Sequence, residues 1–273
     1  MKRDRFHRIF ALLKKYGFCW LILYCFRMML YKTRMRYKIE RVMMWFESVF
    51  FIVGSETISS QYNTIEWNKE KWSGWNWDNY GEEWTRDIEE YKNIEATIWK
   101  NKLLNELLFR YIKSGSVILE IGPGGGRWTE HLEKLAEKLI LVDVSEKCLD
   151  ICRDRFKTSG RIEYILTDNN KLPNIPDHSI DRIWSYDVFV HINPMDTETY
   201  IKEIARILKR GGIAIIHHPG TYNNNKLRTG AFRSAMNERL FSKMVRGNNM
   251  EIILQDTEIP HKPGDVITIF RKR

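Results

Sequence analysis

Three glycines, at 122, 124 and 126, stand directly behind the run Val117-Ile118-Leu119-Glu120-Ile121 and directly before Arg127, Trp128 and Thr129. A buried strand that breaks into such a loop and then into a helix lets the backbone approach a ligand closely, with free helix N–H groups turned toward it. That is nucleotide-site chemistry. The dinucleotide fingerprint asks for its third glycine at 127, where this chain has arginine, and no Gly-Lys-Ser/Thr follows to make a phosphate-cradling loop. Two carboxylates end the next apolar runs: Asp143 closes residues 138–143 and Asp168 follows residues 162–166. Asp143, with Val144 beside it, is placed to accept hydrogen bonds from both hydroxyls of a ribose. Alone, either acid reads as a helix cap or loop residue; together, at the carboxyl edge where open α/β sheets bind ligands, they point to a cofactor.

A second group could move protons. Tyr186, Asp187 and His191 follow a fourth apolar run, and His217 and His218 end a fifth. A neutral imidazole titrates near pH 6.5 and takes a proton from a hydroxyl. Asp187 and His191, four apart, share a face if that stretch starts a helix. His191 is then the expected base and Asp187 its orienting carboxylate, with His217 and His218 as alternatives.

These residues need a sheet to position them. Asp196 reads as the cap of a helix carrying Tyr200, Ile204, Ile207 and Leu208 at helical spacing, which Gly211 and Gly212 stop. Residues 213–216 then form a fifth buried strand, 232–245 a helix, and 251–259 and 265–271 two closing antiparallel strands joined by a turn-rich link. The expected fold is α/β, a Rossmann-like seven-stranded sheet, mostly parallel with an antiparallel final strand, plus an N-terminal helical extension.

Over residues 117–273 the order of these motifs resembles the class I S-adenosylmethionine-dependent methyltransferases. The matching segments are Glu120-Ile121-Gly122-Pro123-Gly124-Gly125-Gly126, then Asp143, then Asp168-Asn169 with Leu172-Pro173, then residues 185–191 after the fourth strand. The resemblance implies that the glycine loop packs against the amino-acid end of the cofactor, that Asp143 holds the ribose, and that Asp168 meets the adenine amine. The cofactor set it implies is Glu120, Gly122, Pro123, Gly124, Gly126, Arg127, Asp143, Val144, Asp168, Asn169 and Ser185, with S-adenosylmethionine as cofactor and S-adenosylhomocysteine as product. In this family the segment after strand four approaches the transferred methyl, which places Tyr186, Asp187 and His191 near it. Residues 81–85, 187–192, 217–220 and 232–234 further resemble methyltransferases among surface-polysaccharide enzymes. The acceptor this implies is a glycan or lipid-linked glycan hydroxyl. A hydrophobic small molecule such as a quinone or lipid is the second reading, and a non-catalytic cofactor-binding scaffold the third.

Charge is uneven along the 273 residues. Residues 1–60 hold twelve Lys/Arg against four acids, leaving +8 of the total +9, so the rest of the chain is close to neutral. The high isoelectric point therefore carries no argument for nucleic acid, and no zinc finger or recognition helix is present. The basic segment is also apolar. Residues 16–26 are uncharged but too few to span a bilayer, which takes ~20 residues, and no small-residue cleavage site follows them. Two readings remain for residues 1–53: helices on an anionic membrane surface, or helices packed on the rest of the chain or a second subunit. The concentration of cationic and apolar residues in one segment favours the membrane, hence a cytoplasmic, peripheral location.

Four cysteines, at 19, 25, 148 and 152, form no metal or disulfide pattern; Cys148 and Cys152, one helical turn apart, read as packing residues in a reducing compartment. No metal site is expected. Residues 67–84 hold five of the ten tryptophans, at 67, 72, 75, 77 and 84, and Gly74 and Gly81 break any single helix there. This stretch reads as a loop-rich cap, three of its tryptophans core and the others lining the site's mouth. The organisation expected is a basic helical segment over 1–60, a Trp-rich cap over 61–110, and the methyltransferase-like domain over 111–273.

Overall fold

The computed structural model describes residues 63–220 apart from 169 and 173, residue 234, and residues 236–273 apart from 261. The described residues belong to one compact unit, Asn63–Asn223 with Phe232–Arg273. The readings made for residues 1–60, Asn169, Pro173, Phe232 and Arg233 lie outside the described residues.

Seven strands form one sheet: β1 Ser116–Ile121, β2 Ala136–Asp143, β3 Ile162–Leu166, β4 Ile180–Ser185, β5 Leu208–Pro219, β6 Met250–Asp256 and β7 Asp265–Lys272. Their order is β3-β2-β1-β4-β5-β7-β6. β7 runs antiparallel to both its neighbours and the other pairings are parallel. The order reverses between β1 and β4, and that crevice is where doubly wound sheets bind ligands. β1 and β2 form because their apolar runs are covered on both faces; Leu119 lies between Ile140 and Ile183 in register, and all three are buried.

The helices of the unit are α1 Ile65–Ser73, α2 Thr85–Lys92, α3 Ala96–Leu103, α4 Thr129–Leu132, α5 Glu146–Arg155, α6 Pro194–Ile207 and α7 Glu238–Gly247. α3 continues through a π-helical stretch, Leu104–Leu108, and a last turn, Phe109–Tyr111. Trp99, Leu103, Leu107 and Leu108 from this rod share one core cluster with Trp128, Trp184, Ile215, Ile267 and Ile269. The segment before residue 111 is thus a layer of the sheet's own core.

Several boundaries differ from the expectation. The cap of α6 is Asn193, whose Oδ1 accepts from Asp196 N at 2.9 Å, with Pro194 opening the helix; Asp196 sits inside the first turn. Gly211 and Gly212 do not stop the helix. It ends at Ile207, and both glycines lie inside β5, which is long because β4 and β7 pair with it on either side. α7 starts at Glu238, where Asn237 Oδ1 caps Leu240 N, and not at 232. β6 stops at Asp256, whose carboxylate accepts from the N–H groups of Glu258 and Ile259 and turns the chain. The Trp-rich stretch begins as regular helix, capped by Thr64 Oγ1 on Trp67 N at 3.1 Å. All five of its tryptophans are half-buried, so none is full core.

Candidate active site

The cradle forms where β1 runs out. Gly122 and Gly124 have φ of +72° and +56°, which L side chains rarely adopt. A Cβ on Gly122 would stand 2.4 Å from Val188 Cγ2, and one on Gly124 2.8 Å from the Trp77 ring. The loop is tied by Gly126 N on the Pro123 carbonyl at 2.9 Å. From α5, Arg155 Nη1 donates to the carbonyls of Gly126 at 2.9 Å and Gly125 at 3.1 Å. Nothing in the local sequence marks Arg155 for this role, since it comes from a helix that folds back.

Two buried carboxylates face this loop. Asp143 accepts from Ser145 N at 2.9 Å and Gly124 N at 3.4 Å, and burial pushes its carboxyl up to about 6. Glu120 accepts from Thr129 Oγ1 at 2.6 Å through one oxygen, while its other oxygen, Oε1, is buried without a hydrogen-bond partner. Burial pushes the Glu120 carboxyl up to about 8, with the nearby Asp143 adding to the effect. An orphaned buried acceptor beside a glycine cradle fits a ligand that brings a positive group and donors to this edge. Asp168 is exposed at the end of β3, and Val144 is half-buried beside Asp143.

Two expected cofactor residues have partners within the protein. The Ser185 hydroxyl donates to the Ile121 carbonyl at 2.9 Å, tying β4 to β1. The Arg127 stem lies against Gly81, and its guanidinium sits over Trp99 and Trp128 and pairs with Glu82.

The proton-handling residues divide likewise. Asp187 has φ +61°, a left-handed break that prevents it and His191 from sharing one helix; a short 3₁₀ turn, Phe189–His191, stands there instead. Asp187 Oδ1 lies 3.2 Å from His217 Nδ1, so the carboxylate expected to orient His191 pairs with His217. On the far side of that ring, Nε2 is 3.3 Å from Asp265 Oδ2 at the start of β7. The two carboxylates hold His217 above the usual histidine range although burial opposes this. Tyr186 stacks on His217 with centroids 4.4 Å apart. Asp265 was not legible as a site residue, because it is brought in by sheet pairing. The His191 ring packs edge-on against Trp72, and its carbonyl accepts from Asn68 Nδ2 at 2.8 Å.

His218 points through the sheet to the opposite side, as a strand's alternation requires. Its ring stacks on Phe241 at 3.8 Å and its Nε2 bonds Thr268 Oγ1 at 2.7 Å. Burial pushes it down to about 3, and it is a neutral packing histidine, not a candidate base.

The pattern from β1 through β5 matches a known domain, described as "Methyltransferase domain", over residues 119–216. Residues 119–216 are thus similar to that domain. The methyltransferase GfsG of Streptomyces halstedii is 30% identical over 105 residues, covering 37% of each chain. The ubiquinone biosynthesis O-methyltransferase of Pelagibacter ubique is 25% identical over 211 residues, 68% of this chain and 82% of that one. Phosphoethanolamine N-methyltransferase 1 of Haemonchus contortus, solved with phosphoethanolamine and S-adenosylhomocysteine, shares the fold at TM-score 0.56 and 15% identity, over 76% of this chain and 49% of that one. The chain spans 37% of GfsG and 42% of the demethylmenaquinone methyltransferase of Tropheryma whipplei, so each match is local. The cofactor of the methyltransferase domain is S-adenosylmethionine. The residues fit it: Asp143 offers carboxylate oxygens for ribose hydroxyls, and the free Glu120 oxygen suits the cationic amino-acid end.

Proposed function

We propose that the chain transfers the methyl group of S-adenosylmethionine to an oxygen of an acceptor held over the ends of β4 and β5. The observation that carries this is the Asp187–His217 pair, 3.2 Å apart at those two strand ends, next to the Val188 side chain that closes on Gly122. When bound, the cofactor supplies an already activated methyl group, so the protein's work is alignment and removal of the acceptor's proton. Asp187 is the more exposed member, its side chain 21% accessible against 0% for His217. It takes the hydroxyl proton, while the buried His217, held between Asp187 and Asp265, positions its carboxylate and Tyr186 fixes the plane of the ring. His191 packs edge-on against Trp72. Glu120, Asp143, Pro123 and Asp168 remain on the cofactor side.

The acceptor we favour is a glycan or lipid-linked glycan at an anionic membrane surface. Partly exposed tryptophans beside the site suit the apolar faces of sugars, and the basic, apolar residues 1–53 suit anionic headgroups. The second reading, a quinone, draws on the ubiquinone and demethylmenaquinone enzymes among the relatives. Incubation of the full chain with labelled S-adenosylmethionine and separately extracted glycan, lipid and quinone fractions tests this. Label in the glycan fraction, lost in Asp187→Asn, supports the first reading; label in the quinone fraction replaces it with the second.

A further inference from the structure

His217 and Asp265 both lie beyond residues 119–216, so the domain match speaks of neither. Both side chains are closed to water, with 0% of each accessible. A carboxylate taken out of water needs a charged partner, and His217 supplies one, its Nε2 3.3 Å from Asp265 Oδ2. Local pairing puts the carboxylate there. Asp265 opens β7 opposite Pro219, and Gly220 N donates to the Gly264 carbonyl at 2.8 Å. A Cβ on Gly220 would stand 2.3 Å from Val266 Cγ2, so a glycine lets the strands close at this point. At the other end of the β6–β7 link, Trp99 Nε1 donates to the Ile259 carbonyl at 2.7 Å.

The charge on the ring is a balance of opposed effects. The titratable groups that face His217 are Asp187 and Tyr186 from the turn after β4, Asp265 from β7, and the adjacent His218 on β5. Burial opposes a charged imidazole. The Asp187 backbone N–H also points at Nδ1, with N 3.2 Å away, and favours a bare nitrogen there. Two full negative charges outweigh burial and one amide dipole; without Asp265, Asp187 alone would oppose both. The outcome matters for Asp187. A cationic ring donates its Nδ1–H to Asp187 Oδ1, 3.2 Å away, and fixes that carboxylate. A neutral ring that accepts from the amide turns a lone pair toward the same oxygen and releases it.

We propose that Asp265 is a positioning residue: acting through His217, it holds the Asp187 carboxylate in the orientation that takes the acceptor's proton. The inference rests on the methyltransferase reading of the site, and it makes the β6–β7 link a part of that site.

Nitrogen-15 NMR of the full chain, labelled at histidine, reads the ring directly, with His217→Gln identifying its signal. In wild type the ring should keep both protons above 6.5, the ordinary histidine value. In Asp265→Asn it should lose one about 1–3 pH units lower than in wild type, the usual effect of one neighbouring charge. Turnover, followed with labelled S-adenosylmethionine and whichever extracted fraction takes the label, should track the ring. The variant's rate should approach the wild-type rate at the acid end of the profile and decline at lower pH than wild type. An unmoved titration, or a rate lowered equally at every pH, overturns the proposal and leaves Asp265 a strand-pairing residue. If Asp265→Asn does not fold, wild type decides: a ring already neutral at 6.5 overturns the proposal, and one still doubly protonated there supports it. A wild-type chain that labels no fraction overturns the methyltransferase reading instead, and Asp265 is then judged on the titration alone.

Discussion

Replacing Glu120 by glutamine should make the ligand-free protein more stable and a poorer cofactor binder. Glu120 ends β1 almost fully buried, and burial lifts its carboxyl from 4.5 to about 8. The folded chain therefore keeps a proton on this group that the unfolded chain releases above pH 4.5. Stability falls as pH rises from there, and the loss is complete near pH 8. At 1.36 kcal/mol per pH unit the gap corresponds to roughly 3–5 kcal/mol. Glu120→Gln keeps the shape and an acceptor for the Thr129 hydroxyl but does not titrate. At pH 8 it should melt roughly 10 °C above wild type, taking ~2–4 °C per kcal/mol for a unit of this size. At pH 4 the two should melt together. Thermal unfolding followed by circular dichroism at both pH values measures this, and an equal difference at the two would refute the assignment of the burial cost to this carboxyl. The same variant should weaken S-adenosylmethionine, with its sulfonium charge, more than the uncharged thioether S-adenosylhomocysteine.

Four further outcomes follow from the site. Asp143→Ala should weaken S-adenosylhomocysteine at least tenfold by calorimetry, since hydrogen bonds to a carboxylate contribute about 1.5–3 kcal/mol each; unchanged affinity removes Asp143 from the ribose site. Asp187→Asn and His217→Gln should each lower turnover ~10²–10⁴-fold once the acceptor is known, and normal turnover in both, with loss in His191→Ala, returns the base to His191. His218 is disfavoured as a cation when folded, so its contribution to stability is lost as pH falls below 6.5. His218→Gln should therefore flatten the acid limb of the stability profile while leaving turnover intact, which acid titration of the fold and a rate assay report. Deleting residues 1–53 should release the chain from anionic vesicles in flotation assays, because each basic group near the surface contributes ~1 kcal/mol; a full chain that never floats ends the membrane reading.

The order of the sheet was legible because its evidence is local. Residues 117–119 and 139–142 are apolar without alternation, which points to burial on both faces, and the glycine loop and Asp143 follow from where those strands stop. Boundaries set by pairing were not legible. Gly211 and Gly212 read as a helix stop by local preference, yet β5 carries them as strand because β4 and β7 supply hydrogen-bond partners over its length. The aspartate that reads as the cap of α6 likewise yields to Asn193, where an asparagine followed by proline is the better start.

The site divides along the same line. His217 and His218 are adjacent, so in a strand only one could join the group that follows β4, whichever it was. Which one is decided by β7, whose first residue, Asp265, stands against His217 and whose Thr268 takes His218 from the other face. Arg127 shows a related division. Its place after the glycine loop puts its backbone in the cradle, but its side chain is claimed by Glu82 and two tryptophans supplied from other segments. Sequence motifs locate backbone at the carboxyl edge of a sheet. The direction of the long side chains there is set by charges and rings arriving from distant residues, so Asp187 and His217 were both legible as candidates while their pairing with each other was not.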